Sequence, residues 1–295
     1  MSVIEKAGGP LEALIQKKQK SAKPVKTPKR RFDLDLDKLA SDGYYTPAEM
    51  ASPLAMDLRA VKRRLLRRLG FLRSSGEPGA MRMPGRRRNV VLVTSAQAGE
   101  GKTFCALNLA LSFALEDRIS VALIDADMPR PKLRARLGLP AGPGFADCIA
   151  DGLALSKAFV YARKGPLAVM GEGRPVEQSD ALYASATCQK LLGDLSAGFR
   201  DGLVILDAPP TLAVSDAVIL AKLVDEVVFV VEANETPEPA AAAALDELLD
   251  VNPHVSLILN RCLLNATGAS YGSYDYYPRR PEASAEERNK SNGDV

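Results

Sequence analysis

The sequence predicts an α/β fold with a mostly parallel sheet flanked by helices, and three observations carry that prediction. From residue 89 onward, short continuous apolar runs alternate with helix-period patterns. The first run breaks into a glycine-containing turn, so that residues 91–103 read VLVTSAQAGEGKT, and a helix-like apolar segment follows at 104–115. Two later apolar runs, VALIDAD at 121–127 and LVILDAPP at 203–210, carry aspartates at their ends.

In chain order, residues 1–45 are polar, lysine-rich and dotted with proline, and are expected to be disordered. Residues 1–31 hold nine Lys and Arg against Glu5 and Glu12. Residues 46–88 are expected to form an amphipathic helix and a Gly/Pro/Arg linker. Thr46-Pro47-Ala48-Glu49 has capping-box spacing, and Ser52-Pro53 restarts the pattern. Leu54, Leu58, Val61, Leu65 and Leu69 then recur at helical spacing, with the basic residues mostly on the other faces and Gly70 as a stop. In the domain assigned to 89–265, strands are expected near 90–94, 120–125, 166–170, 203–207, 226–231 and 255–260. Helices are expected over about 103–116, 185–196, 215–223 and 237–250. Residues 266–295 are expected to be a flexible tail, in which Tyr271, Tyr274, Tyr276 and Tyr277 are spread through small polar neighbours.

The turn after the first strand has the chemistry of a phosphate-binding loop. Gly99 and Gly101 let backbone N–H groups converge on phosphate oxygens, and Ala98, Glu100 and Phe104 complete the segment assigned to the nucleotide. Lys102 places a cation near the β- and γ-phosphates, and the Thr103 hydroxyl can ligate Mg²⁺. The strict spacing G-x-x-x-x-G-K-[ST] fails at its first position, where Ala96 stands. Asp125, Asp127 and Asp207 fall at the carboxyl ends of strands, where open α/β sheets bind ligands. There they can hold Mg²⁺ directly or through water, and one can take a proton from an incoming hydroxyl. Any one of them alone could instead cap a following helix. Together the three elements specify a P-loop NTPase fold that takes ATP and Mg²⁺.

VTSAQAGEGKT, LIDADMPRP and VILDAPPTLAVSDA, joined to the tyrosine-rich tail, resemble the bacterial protein-tyrosine kinases, relatives of the MinD/ParA ATPases. The resemblance covers roughly residues 55–278 and is strongest to the tyrosine autokinases of exopolysaccharide loci, including those found with exosortase systems. It implies phosphoryl transfer from ATP to tyrosine, with Tyr271, Tyr274, Tyr276 and Tyr277 as acceptors in trans. It also implies that Lys102 and Thr103 hold phosphates and metal, that Asp127 and Asp207 organise Mg²⁺, and that Asp125 accepts the phenolic proton. Asn260 ends the last strand where related nucleotide-binding proteins place an Asn on the purine; as a lone residue it reads equally well as a turn former. Asp216 is read either as structural or as supporting the site's residues from behind. The implied partners are further copies of the chain, a ring among the options, together with a membrane-embedded chain-length-determinant (polysaccharide co-polymerase) protein as activator and a tyrosine phosphatase. The implied location is the inner face of the cytoplasmic membrane.

Three departures stand out. Ala98 replaces the family's usual proline, and Pro129 displaces the motif arginine to Arg130. Met56, Arg59 and Lys62 occupy the spacings of the E-x-x-R-x-x-R-like helix that the family uses between subunits. Assembly through that helix and packing against its own domain are both compatible with the pattern.

With 295 residues and 46% hydrophobic residues, the chain can build one sizeable core, and a formal charge of only +3 gives no bulk argument for nucleic acid. Local basic clusters can still attract anionic lipids, nucleic acid or acidic segments. Cys105, Cys148, Cys188 and Cys262 are spaced for neither zinc nor disulfides and fit a reducing cytosol, with Cys105 and Cys262 expected to be core thiols. The start shows no hydrophobic signal core, and the most apolar stretch, around 217–232, is interrupted by Lys222, Asp225 and Glu226. Two rival functions remain: an ATPase switch of the MinD/ParA kind and a non-catalytic ATP-sensing module of an export complex. Gln97 stands where the switch proteins carry a signature lysine, which argues against the first. The intact Lys102, Thr103 and aspartates argue against the second.

Overall fold

The computed structural model of the chain describes residues 30–71 and 88–262. Its strands are β1 (Arg30–Phe32), β2 (Val90–Ser95), β3 (Ser120–Asp125), β4 (Val160–Ala162), β5 (Leu167–Met170), β6 (Gly202–Asp207), β7 (Glu226–Glu232) and β8 (Val255–Asn260). They form one sheet in the order β1-β4-β5-β3-β6-β2-β7-β8. Every neighbouring pair is parallel except β4 with β5.

Because side chains alternate across a strand, the apolar runs feed two cores at once. Val91, Val93, Leu123 and Ile205 point to one face, where they meet the helices Pro53–Arg68 and Lys102–Leu115. Val90, Leu92, Ile124 and Leu206 point to the other, beneath the helices Ala186–Gly198, Asp216–Ala221 and Glu238–Leu249. The register sets Asp125 directly beside Asp207 on β6, and Asp207 beside Val93 on β2. The carboxyl ends of the three central strands therefore open onto one crevice, with the turn that follows β2 above it.

All six expected strands are present. The structure adds β1 and β4, each three residues long and too short to show a period. It also adds short helices at Leu36–Ser41, Leu133–Leu137, Phe145–Ala150, Leu155–Ala158 and Ser179–Tyr183. The expectation of disorder over residues 1–45 fails from Arg30 onward. β1 pairs in parallel with β4, and Phe32, Leu34, Leu39, Tyr44 and Tyr45 are buried against the core. The basic composition of the segment hid this sparse apolar set, which is held by a sheet edge and by the helix Lys102–Leu115, both distant in sequence.

Thr46 does not cap a helix: a single 3-10 turn, Pro47–Glu49, follows it, and its hydroxyl has no partner. Ser52 does cap, accepting from the Ala55 N–H at 3.2 Å, and the helix runs from Pro53 to Arg68. Its inner face buries Ala55, Leu58, Lys62 and Leu65. Lys62 is buried because it is paired, at 2.8 Å with Glu116 and 2.7 Å with Asp117, while Arg59 reaches Glu116 at 2.6 Å. Of the two readings of this helix, packing against its own domain is therefore observed. Among the described residues no helix is long and apolar enough to cross a membrane. Cys105, Cys148 and Cys188 are buried, but Cys262 is exposed, since β8 ends at Asn260 before the thiol can reach the core. Of residues 261–295, only Arg261 and Cys262 are described.

Candidate nucleotide-binding site

β2 ends at Ser95, and the chain turns through Ala96–Gly101 into the helix Lys102–Leu115. The turn needs its glycines: Gly99 has φ +102° and Gly101 φ +93°, a region that costs residues with a Cβ. At Gly101 space is lacking as well, because an added Cβ would stand 2.1 Å from Asn260 Nδ2. That amide donates to the Glu100 carbonyl at 2.9 Å and ties the end of β8 to the loop.

The Glu100 side chain is turned inward and buried. It accepts from the Gln97 N–H at 2.8 Å and from the Thr236 hydroxyl at 2.6 Å. Thr236 lies 136 residues further along the chain, and its own oxygen accepts from the Glu232 N–H at 2.9 Å. Sequence reasoning missed Thr236. Its only local signal is a threonine before a proline and a helix, which reads as a cap.

Lys102 and Asp127 are both buried and meet at 2.5 Å. Asp125 is fully buried, accepting backbone N–H groups from Lys132 and Leu133 at 2.9 Å each and from Asp127 at 3.2 Å. It thus anchors the start of the helix Leu133–Leu137 as well as facing the crevice. Burial raises its pKa to about 6, against the pull of those N–H groups. Asp207 is also fully buried, and neither of its oxygens has a hydrogen-bond partner. Burial, with the nearby charges of Asp125 and Asp127, pushes its pKa up to about 7, although Lys102 and the nearby Thr103 hydroxyl pull it down. That hydroxyl is itself buried and forms no hydrogen bond of normal geometry.

Orphaned buried oxygens are costly unless a ligand satisfies them. The Thr103 hydroxyl and the Asp207 carboxylate are hard oxygen donors next to a phosphate-binding loop, and they fit Mg²⁺. Among the described residues no group of three or more His, Cys, Asp or Glu side chains makes a protein-only metal cage.

The Asp125–Asp127 segment is held from behind by Tyr183, whose phenol donates to the Ala126 carbonyl at 2.7 Å. Asp216 is buried at the start of its short helix with one oxygen unpartnered, and burial raises its pKa. Arg130 is exposed; its backbone N–H, not its side chain, bonds to Asp127. The structure thus brings together Lys102, Thr103, Asp125, Asp127 and Asp207, with Ala98, Gly99, Glu100, Gly101, Phe104 and Asn260 in or against the loop. Tyr271, Tyr274, Tyr276 and Tyr277 lie outside the described residues.

The fold and this crevice define a P-loop nucleotide-binding protein. No protein-family model matches the sequence. The chain is 31% identical over 192 residues to the tyrosine-protein kinase YwqD of Bacillus subtilis, a match spanning 65% of this chain and 78% of YwqD. It is 27% identical over 197 residues to the succinoglycan biosynthesis transport protein ExoP of Rhizobium meliloti, covering 65% of this chain but 25% of ExoP. Among solved structures, the VpsO kinase domain superposes with a TM-score of 0.55 at 32% identity, covering 60% of this chain and 86% of that domain. The chain belongs to the bacterial tyrosine-protein kinases.

Proposed function

We propose that the chain transfers the γ-phosphoryl group of Mg·ATP to Tyr271, Tyr274, Tyr276 and Tyr277 of a neighbouring copy, and that the state of this tail regulates exopolysaccharide synthesis and export. One observation carries the reading: buried, unsatisfied oxygens of Thr103 and Asp207 face the crevice beside the Lys102–Asp127 pair. In the proposed complex the loop from Ala98 to Phe104 wraps the phosphates with backbone N–H groups, and Asn260 lies on the purine side. Lys102 would exchange Asp127 for phosphate oxygens, leaving Asp127, Asp207 and Thr103 as the residues that would hold Mg²⁺. Bound there, Mg²⁺ would neutralise phosphate charge during transfer. With Asp207 committed, Asp125 is left to accept the phenolic proton. Its Oδ1 carries only the long bond from the Asp127 N–H, and its raised pKa makes it a better base.

The acceptor tyrosines begin about ten residues beyond Asn260. At ~3.3 Å per extended residue, reaching a neighbour needs modest extension, whereas returning to its own crevice needs a tight reversal. Each phosphate adds about −1.5 to −2 charges, so modified tails would leave the acidic crevice and loosen the assembly. The proposed setting is peripheral, at the inner membrane face. A membrane-embedded chain-length-determinant protein acts there as activator, and a tyrosine phosphatase resets the tail. ExoP, named for succinoglycan transport, supports the polysaccharide context.

The test mixes a Lys102→Met chain having an intact tail with an active chain whose four tail tyrosines are Phe, using ³²P-labelled ATP. Label on the Lys102→Met partner is expected. No label on the Lys102→Met partner, with wild-type chains labelled on their own in a parallel reaction, would make transfer cis, and release of free phosphate with no labelled protein in either reaction would favour an ATPase switch.

A further inference from the structure

The helix Pro53–Arg68 is rich in arginine, and the structure divides those arginines into two sets. Arg59 and Lys62 are committed to Glu116 and Asp117, and Arg68 to the buried Glu226. Arg63, Arg64 and Arg67 are exposed, and no acidic side chain among the described residues pairs with them. They share the outer face with Ala60 and with Met56, which is 50% exposed, and Met50 in the preceding turn is 50% exposed as well. The single carboxylate on this face, Asp57, sits at the opposite end of the helix from the arginines.

The inner face already secures the helix through Ala55, Leu58, Lys62 and Leu65. Three arginines without acidic partners within five residues repel one another, and an exposed methionine beside them gains nothing from water. An anionic partner resolves the first problem and an apolar one the second. A phosphorylated peptide would want a concavity in which guanidinium groups converge on one phosphate. The outer surface of a single helix is convex and presents its arginines side by side. A bilayer surface matches both features, because headgroup phosphates are arrayed laterally and an apolar boundary lies just beneath them.

We propose that the outer face of the helix Pro53–Arg68 is a docking surface for anionic lipid, with Arg63, Arg64 and Arg67 at the headgroups and Met56 at the apolar boundary. The contact is direct and needs no protein partner, and it stands independently of the kinase reading.

The experiment sediments the full chain with vesicles of pure phosphatidylcholine and with vesicles containing one-third phosphatidylglycerol. Binding is expected only to the anionic vesicles and should weaken as salt rises. Each arginine near such a surface is worth roughly fivefold in partitioning, so Arg63→Ala/Arg64→Ala/Arg67→Ala together should lose about a hundredfold. Met56→Asp should weaken binding further. Circular dichroism controls for folding, which these exposed positions should not disturb. Three results would overturn the proposal: no wild-type binding to anionic vesicles, a loss below fivefold in the triple variant, or arginine-dependent capture of a phosphotyrosine peptide of residues 268–282 without vesicle binding.

Discussion

Replacing Gly101 with Ala tests how the nucleotide loop is held. Two separate costs can be worked from the geometry. The residue sits at φ +93°, and placing a Cβ there costs about 1–2 kcal/mol. The same Cβ would fall 2.1 Å from Asn260 Nδ2, so the Asn260 side chain must swing away and give up its 2.9 Å bond to the Glu100 carbonyl. A bond of that kind contributes about 1 kcal/mol, giving about 2–3 kcal/mol for Gly101→Ala. Asn260→Ala should cost about 1 kcal/mol alone, since it removes only the bond. In the double variant the clash has vanished and the bond is lost once, so the combined cost should fall short of the sum by about 1 kcal/mol. Urea unfolding of all four proteins measures this, provided the slope of stability against urea stays constant. Binding of a fluorescent ATP analogue with Mg²⁺ should follow the same order, because the loop amides that Gly101 positions are those proposed to meet phosphate. A Gly101→Ala protein within about 0.5 kcal/mol of wild type, or strictly additive costs, would refute the link between Asn260 and the loop.

Burial holds the Asp207 pKa at about 7, above the ordinary carboxylate range. The unfolded chain therefore releases this proton first as pH rises, and nucleotide-free stability should fall between about pH 4 and 7, by about 1.4 kcal/mol for each pH unit that separates the unfolded and folded pKa values. Asp207→Asn should flatten that slope and raise stability at about pH 8 while abolishing phosphotyrosine formation; thermal unfolding across pH checks the first effect and an anti-phosphotyrosine blot the second. Asp127→Asn should leave Lys102 without its buried partner and weaken Mg²⁺-dependent binding about tenfold or more, because an amide is a poorer ligand for a hard cation; titration calorimetry with Mg·ATP reads it. Lys62→Met should destabilise by about 1–3 kcal/mol in urea, less than a fully buried pair because Glu116 keeps Arg59. Burial works against ionised Glu116, yet Lys62 and Arg59 bring its pKa down to about 2, so the stability this carboxylate contributes is present above pH ~4.5 and is lost toward pH 2.

Much of the molecule was legible from local pattern. The central strands and the long helices followed from continuous apolar runs and helical spacing, because a segment buried on both faces carries that requirement in its own residues. Lys102, Thr103, Asp125, Asp127 and Asp207 could be picked out because each follows or ends an apolar strand run and all three such elements recur in order, even though Asp125 also anchors a helix. Several things had no local signature. β1 is Arg30-Arg31-Phe32, a basic tripeptide whose strand character comes wholly from pairing with β4. Lys62 looked like one more solvated cation until Glu116 and Asp117 closed on it across more than fifty residues. The inward turn of Glu100 depends on Thr236, and nothing near either residue announces the other.

The sequence by itself determined the fold class, the phosphate-binding loop and the carboxylates at the strand ends, since each is written in contiguous residues whose spacing carries the physics. Tertiary structure alone decided which of those groups are satisfied. It gave both Asp125 oxygens to backbone amides, left those of Asp207 and Thr103 without partners, and joined Lys102 to Asp127. It also sorted the arginines of one helix into an inner set that is paired and an outer set with no acidic partner among the described residues. Burial and partnership are properties of surroundings assembled from distant parts of the chain, and no local window contains them.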